Sequence, residues 1–338
     1  MRTRSLAVAL AVSFLVAGCG PGTGFLIKPV PVNEALTETT ISTDPGFFVT
    51  AKVVVVDVDG LLFNARGDGL FGPHDNPVSL FVEKIDKAQK DDDVRAVVLR
   101  INSPGGGVTA SDIMYWRLAE MKKERKVPVV AAIDDVGASG AYYIACGADT
   151  IIAAPTSVTG SIGVIVQTFS LSGTMAKLGI DTKAITSGPM KDMASPFKPL
   201  SPEDQKVLQQ IVTEFYGRFV DVVAAGRPKL KRDDVKKLAD GRIYTGEQAL
   251  AGGLVDATGD VKTAVAEAKK LAGLKAAKVV MYDRPYGYKA NVYSAAPLGG
   301  MQVNLLNVSV PGLMTWLEPQ FLYLWTGGAG GAGGAANP

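Results

Sequence analysis

Short, nearly continuous apolar runs alternate with amphipathic stretches through the middle of this chain. Val53–Val58 and Ala96–Ile101 are rich in β-branched and aliphatic residues, the pattern of strands buried on both faces. Val129–Ile133 and Thr150–Ala154 predict two more strands, with a further one near Thr182–Thr186. Between them, Val78–Gln89 and Thr109–Lys123 have helical spacing, and Ala138–Cys146 and Leu171–Leu178 predict short helices. Gly60–Asn76 reads as a loop. Strands alternating with helices imply a parallel sheet built from βαβ crossovers. Helices then dominate: Pro202–Ala225, Arg232–Leu238, Thr245–Gly252 and Val261–Leu271, with a late strand at Lys278–Tyr282.

The pattern weakens at both ends. Met1–Ser5 is short and basic, Leu6–Val16 is apolar, and Ala17-Gly18 are small, the order of an export signal. Leu15-Val16-Ala17-Gly18-Cys19 resembles a bacterial lipobox, which implies cleavage after residue 18 and lipidation of Cys19. Several acyl chains on one cysteine would hold the protein on a membrane surface. Residues 19–50, rich in Pro, Gly and Thr, predict a flexible tether, and the folded domain is expected over 51–284, starting near Lys52. Residues 285–326 form an apolar extension. Within it Val308–Trp325 is interrupted by Pro311, Glu318 and Pro319, which argues against a membrane span. Residues 327–338 are a low-complexity Gly/Ala tail, expected to be disordered.

Charge and cysteine narrow the function classes. The formal charge of +2 comes from Arg2 and Arg4 in a segment without acids, so the chain beyond residue 18 is neutral. That argues against a nucleic-acid partner held by a broad basic surface. With Cys19 lipidated, Cys146 is left alone, and no intramolecular disulfide can form. Its setting, AYYIACGA, reads as a small buried hydrophobe.

Four segments carry candidate chemistry. In Arg100–Val108 (RINSPGGGV) a buried strand ends in glycines before a helix. Glycines there let a ligand approach the backbone and meet N–H groups. An oxyanion hole at Gly105 or Gly106, a phosphate cradle and a tight turn all remain open, although no Walker A or Gly-x-Gly-x-x-Gly pattern fits. In Asp134–Asp149 (DDVGASGAYYIACGAD), Ser139 stands among small residues ahead of an apolar helix. It suits a protruding nucleophile, with the Gly140 N–H as a second oxyanion donor, and equally suits an N-cap. In Ser157–Val166 (SVTGSIGVIV), Ser161 could orient a neighbouring amine or be an ordinary turn serine. In Ser187–Phe197 (SGPMKDMASPF), Lys191 follows the expected strand near Thr182–Thr186. The one histidine, His74, lies far upstream of these segments. A hydroxyl nucleophile here needs another base, and a lysine kept neutral by burial serves. Met190, Met193 and Phe197 are candidates to desolvate Lys191. Asp192 would oppose that unless it turns away.

RINSPGG, ASGAYYIACGAD, TGSIGV, SGPMKDMASPF and the later GRIYTGEQALAGGLVD (Gly241–Asp256) together resemble the signal peptide peptidase A family, over roughly residues 52–272. These are membrane-associated Ser-Lys endopeptidases of the ClpP/crotonase-like superfamily. The resemblance implies an α/β fold of repeated β-β-α and βαβ units, a mostly parallel sheet and C-terminal helices. It also implies Ser139 as nucleophile, Lys191 as general base and Ser161 assisting the lysine. The oxyanion donors would come from Gly140 and from Gly105 or Gly106. The chain has Gly140-Ala141 where the family often has Gly-Gly, and alanine still offers its N–H.

Double-length members of the family place lysine and serine in different halves. A single-length chain is therefore expected to form a homo-oligomeric ring with sites shared between subunits. Peptide substrates, no cofactor or metal, and a lipid-anchored, extracytoplasmic place in a bacterial envelope complete the expectation. A ClpP-like Ser-His-Asp site fails because no histidine follows Ser139. A crotonase-type acyl-CoA enzyme leaves Ser139 and Lys191 unexplained. A peptide-binding lipoprotein that does not cut is the remaining alternative.

Overall fold

The near-continuous apolar runs lie side by side at the centre of a mixed α/β sheet, each covered on both faces. The computed structural model describes residues 35–65, 67–69, 72–74, 76–284 and 321–325. The expected signal segment, Cys19, most of the apolar extension and the Gly/Ala tail lie outside these residues.

The chain runs β1 (Thr37–Thr43), β2 (Lys52–Leu62), the hairpin strands β3 (Gly67–Gly69) and β4 (Gly72–His74), and α1 (Pro77–Lys90). Next come β5 (Val94–Gly107), α2 (Val108–Arg125), β6 (Val129–Ala138), α3 (Gly140–Ala145), β7 (Thr150–Ala153), β8 (Val158–Gly160) and β9 (Ile165–Val166). The helices α4 (Ser172–Lys177), α5 (Pro202–Gly226) and α6 (Arg232–Leu238) follow, then β10 (Ile243–Thr245), α7 (Gly246–Ala251), β11 (Ala257–Thr258), α8 (Val261–Leu271), β12 (Lys278–Asp283) and β13 (Phe321–Leu324).

The main sheet has the order β1-β12-β2-β5-β6-β7-β11. Its pairs are parallel except at the β1 edge, where β1 runs antiparallel to β12. The period-two pleat explains the apolar runs. Val54, Val56, Leu99, Ile101, Ala131 and Ile133 face one core with α1, α2, α3 and α5. Val53, Val55, Ala96, Val98, Val130 and Ala132 face the other, closed by Val261, Ala264, Val265 and Ala268 of α8. Arg100 and Asp57 interrupt the runs and pair with each other at 2.8 Å, both buried.

Three departures from the sequence reading have physical causes. The fold begins before Lys52, because the alternating TETTIST stretch adds β1 as an edge strand with one polar, exposed side. The strands β5 and β6 continue past their apolar runs to Gly107 and Ala138. Their polar and glycine ends pair with β2 and with each other, so ladder bonds replace side-chain burial as the ordering force. No strand forms at Thr182–Thr186, where every residue is exposed and no neighbouring strand offers a ladder.

Leu99 is fully buried between the sheet and its helices. We expect Leu99→Ala to destabilise the protein by about 2–5 kcal/mol, read from the shift in its denaturant unfolding midpoint.

Candidate active site

The site lies at the carboxyl ends of β5 and β6, where the strands outrun their helical cover. Ser139 stands between the end of β6 and the first residue of α3. Its backbone has φ 55° and ψ −117°, and its side chain makes no capping bond to the helix. The N-cap reading is thereby set aside. A non-glycine residue at such angles is strained. The strain is held by Ser139 N–H donating to Gly160 O at 2.8 Å and by Tyr143 N–H donating to Ser139 O at 2.9 Å. Further along α3, Tyr142 donates its hydroxyl to Leu254 O at 2.7 Å. The helix behind the serine is therefore held at its start and through its third residue.

The glycines are where close approach requires them. Gly105 has φ +96°, and a Cβ there would lie 2.6 Å from Gly140 N. A Cβ on Gly106 would lie 2.2 Å from Leu62 O, and one on Gly140 would lie 2.3 Å from Ser111 Oγ and 3.3 Å from Gly106 N. The structure thus brings Gly105, Gly106 and Gly140 together beside Ser139. It also separates the two candidate donors on β5. Gly105 N–H is engaged by Ser103 Oγ at 3.1 Å, and that hydroxyl donates in turn to Gly60 O at 2.6 Å. Gly106 is then the residue of the pair whose N–H suits a ligand.

Ser161, 8% exposed with φ 49°, lines the same cavity of about 550 Å³ as Ser139. Its N–H donates to Arg242 O at 2.8 Å. The GRIYTG segment thus serves as its backbone anchor, with β10 laid antiparallel on β8.

Lys191 stands apart. None of Ser187–Phe197 lines the cavity around Ser139. Lys191 is exposed, as are Met190 and Phe197, so the expected desolvation by these side chains is missing within one chain. The cause is the segment 167–200, in which Ala194 is the only buried residue. Asp192 does turn elsewhere: it pairs with Lys198 at 2.6 Å, and Lys198 reaches Asp204 at 3.2 Å.

Cys146 is buried, and burial pushes its thiol up to about 12, in keeping with an inert packing residue. His74 belongs to the β3–β4 hairpin, outside the main sheet.

The profile of peptidase family S49 matches residues 121–275. A chain named as a signal peptide peptidase, SppA, from Enterococcus faecium is 40% identical over 74% of this chain and 71% of its own length. The chain belongs to peptidase family S49. A second relative, named as a protease of Methanocaldococcus jannaschii, is 38% identical over 64% of this chain and 69% of its own length. Among solved structures, a mutant of the 1510-N membrane-bound stomatin-specific protease in complex with a substrate peptide is similar at 16% identity and a TM-score of 0.43. It covers 66% of this chain and 81% of its own. Among the described residues of this S49 chain, no helix is long and apolar enough to cross a membrane.

Sequence reasoning passed over two parts of the site. Ser103 looked like a turn residue, yet it fixes the glycine loop through two hydrogen bonds. The strand β13 falls inside the apolar extension, and it pairs with Gly105–Gly107 on one edge and with Ile165–Val166 on the other. The strand is four uniformly apolar residues, FLYL, too short to stand out within the apolar stretch that surrounds it.

Glycine relieves the backbone strain at Ser139 and alanine does not. We expect Ser139→Gly to unfold at higher temperature than Ser139→Ala, by about 1–3 kcal/mol in stability, measured by calorimetry on the two variants.

Proposed function

We propose that this chain is a membrane-anchored serine endopeptidase working through a Ser139–Lys191 dyad, and that each dyad is completed between two copies of the chain. The observation that carries this reading is the pairing of a strained serine and convergent backbone N–H groups in a cavity with a lysine held on an exposed arm. Neutral Lys191 takes the proton of Ser139, whose Oγ attacks a peptide carbonyl. The N–H groups of Gly140 and Gly106 receive the oxyanion. Lys191 returns the proton to the leaving amine, water hydrolyses the acyl-enzyme, and Ser161 orients the lysine.

The arm supports the shared-site part. Phe169, Leu178, Ile180, Ile185, Met190 and Phe197 are all exposed along it, with Ile185 at 96%. An apolar patch of this kind suits burial against another subunit. A second copy contributes the lining that desolvates Lys191, and repetition of such a head-to-tail contact closes into a ring. Signal peptides and other unfolded apolar segments are the substrates we assign, bound as an added strand. The lipobox-like segment ending at Cys19 supports anchoring at an extracytoplasmic membrane face. No cofactor or metal enters these steps.

The reading is tested with a purified protein lacking residues 1–34, assayed on denatured casein and on a synthetic signal peptide. We expect activity in wild type and none in Ser139→Ala or Lys191→Ala, with folding and assembly unchanged. Mixing the two inactive variants should restore part of the activity, because some interfaces then join an intact serine to an intact lysine. Mixtures that never exceed the single variants would refute the shared site.

A base that must lose a proton gives a rate that rises toward alkaline pH. We expect kcat/KM to climb across about pH 6–9 while circular dichroism stays constant. A flat profile would count against a lysine base that loses its proton in this range.

A further inference from the structure

The loop between β1 and β2 turns two phenylalanines into open solvent at the end of the sheet away from Ser139. Phe47 is 98% exposed and Phe48 is 95% exposed. The loop lies just before β2 begins at Lys52. Ser139 lies at the carboxyl end of β6, which runs parallel to β2 through β5. Along its eleven residues, β2 separates the two ends by about 36 Å.

The base of this loop is fixed. Asp44 N–H donates to Ala277 O at 3.1 Å. The Asp44 carboxylate accepts from Ala277 N–H at 3.0 Å and pairs with Lys269 at 2.6 Å. A Cβ on Gly46 would lie 3.0 Å from Val49 Cγ2, so the turn closes on itself and the two rings are left outward. Phe48 has φ 54°, a left-handed conformation that is costly for a bulky residue. Strain maintained by a fixed base in order to expose an apolar ring points to a use for that ring.

Cations flank the tip. The helices α1, α2 and α8 all end at this side of the sheet, and Lys90, Lys123 and Lys126 are exposed in their last turns or just beyond. Lys275 is exposed in the turn after α8, whose Ala276 lies against Gly46. Most acids here are already engaged: Asp44 with Lys269, Asp91 with Lys52, Asp92 with Arg125 and Asp149 with Lys122. Lys90, Lys123, Lys126 and Lys275 have no ion pair among the described residues, with Asp93 and Glu124 as the exposed acids left over. Two phenylalanines beside such lysines fit a bilayer with anionic headgroups, the rings below the phosphates and the ammonium groups level with them. A second copy of the same surface would meet it with like charge.

We infer that the Phe47-Phe48 tip inserts into an anionic lipid surface, as a membrane contact separate from the acyl anchor proposed at Cys19. The inference goes beyond the peptidase reading and does not depend on it. The reach of the chain fits. From residue 19 to Leu36 an extended backbone spans about 60 Å at most, and β1 covers about 20 Å on its way back to the loop. An anchored chain can therefore lay the tip on the surface that holds its acyl chains. Seated this way, the loop end of β2 meets the bilayer. Its carboxyl end, where Leu61 pairs with Gly105, faces water.

The test uses the chain from residue 19 with Cys19→Ser, so that no acyl chain contributes, and vesicles of phosphatidylethanolamine and phosphatidylglycerol. Cys146 is buried, so an environment-sensitive fluorophore goes to one introduced cysteine. Thr50→Cys places it in the loop and Ala65→Cys beyond the other end of β2, both at exposed positions. We expect the label at residue 50 to shift to the blue and to be quenched by nitroxide-bearing lipid, and the label at residue 65 to do neither. Phe47→Ser combined with Phe48→Ser is expected to weaken vesicle partition by about tenfold or more, with circular dichroism unchanged. Lys90→Gln and Lys275→Gln are each expected to weaken it by about fivefold. Lack of partition by the parent chain, equal partition of the double serine variant, or equal quenching at residues 50 and 65 would overturn the inference. A blue shift at residue 50 that rises with protein concentration in the absence of vesicles would overturn it in favour of a contact between copies. No arm reads peptide cleavage, so failure here leaves the peptidase reading standing.

Discussion

The site depends on the close approach of two backbone segments, Gly105-Gly106 at the end of β5 and Gly140 at the start of α3. A single methyl group at Gly105 or Gly140 would drive them apart, since either Cβ meets a neighbouring atom well inside contact distance. Everything else in the site takes its position from that approach. The buried strands supply rigid rails, and their glycine ends bring N–H groups to one point. The turn at Ser139 absorbs the resulting strain at one residue. The Ser103 hydroxyl holds one side, and the Gly160 carbonyl, accepting from Ser139 N–H, holds the other. Aligned dipoles of this kind need no rearrangement when charge develops, and such preorganisation is a large part of catalytic power in acyl transfer.

Much of the core was legible because the sheet is parallel and covered twice. Residues such as Val53–Val56 and Val97–Leu99 have no solvent face, so their composition alone marks them. The long helices were legible from the helical spacing of their apolar residues, and the structure adds side-chain caps at Ser201 before α5 and Asp260 before α8. Parts held by hydrogen bonding rather than burial were not legible. TETTIST looks like a linker and is an edge strand, because its order comes from β12. Thr182–Thr186 look like a strand and are exposed, because β-branched residues need a neighbour before they form a ladder.

The same distinction runs through the site. Ser139 and the glycines stood out because an unusual local conformation demands small residues around it. Lys191 could be selected only by its motif and by the lack of a usable histidine. The property that makes a lysine a base is its surroundings, and a single chain leaves those surroundings open along the arm. In the shared site we propose, the chemistry of Lys191 is conferred by a second copy and so carries no mark in its own neighbourhood. The sequence encodes instead the apolar residues of the arm, from Phe169 to Phe197, which are left exposed among the described residues.

The two-sided seat of β13 has a consequence for what can be cut. A guest paired along β5 on one edge and β9 on the other must arrive with both edges of its main chain unoccupied. A helix keeps its backbone groups to itself, and an interior strand of a sheet has no edge to give. Even an outermost strand offers only one. The groove therefore discriminates by conformational state before it reads any side chain. On the peptidase reading proposed above, folded chains are excluded at the groove itself, and a polypeptide that has lost its fold qualifies.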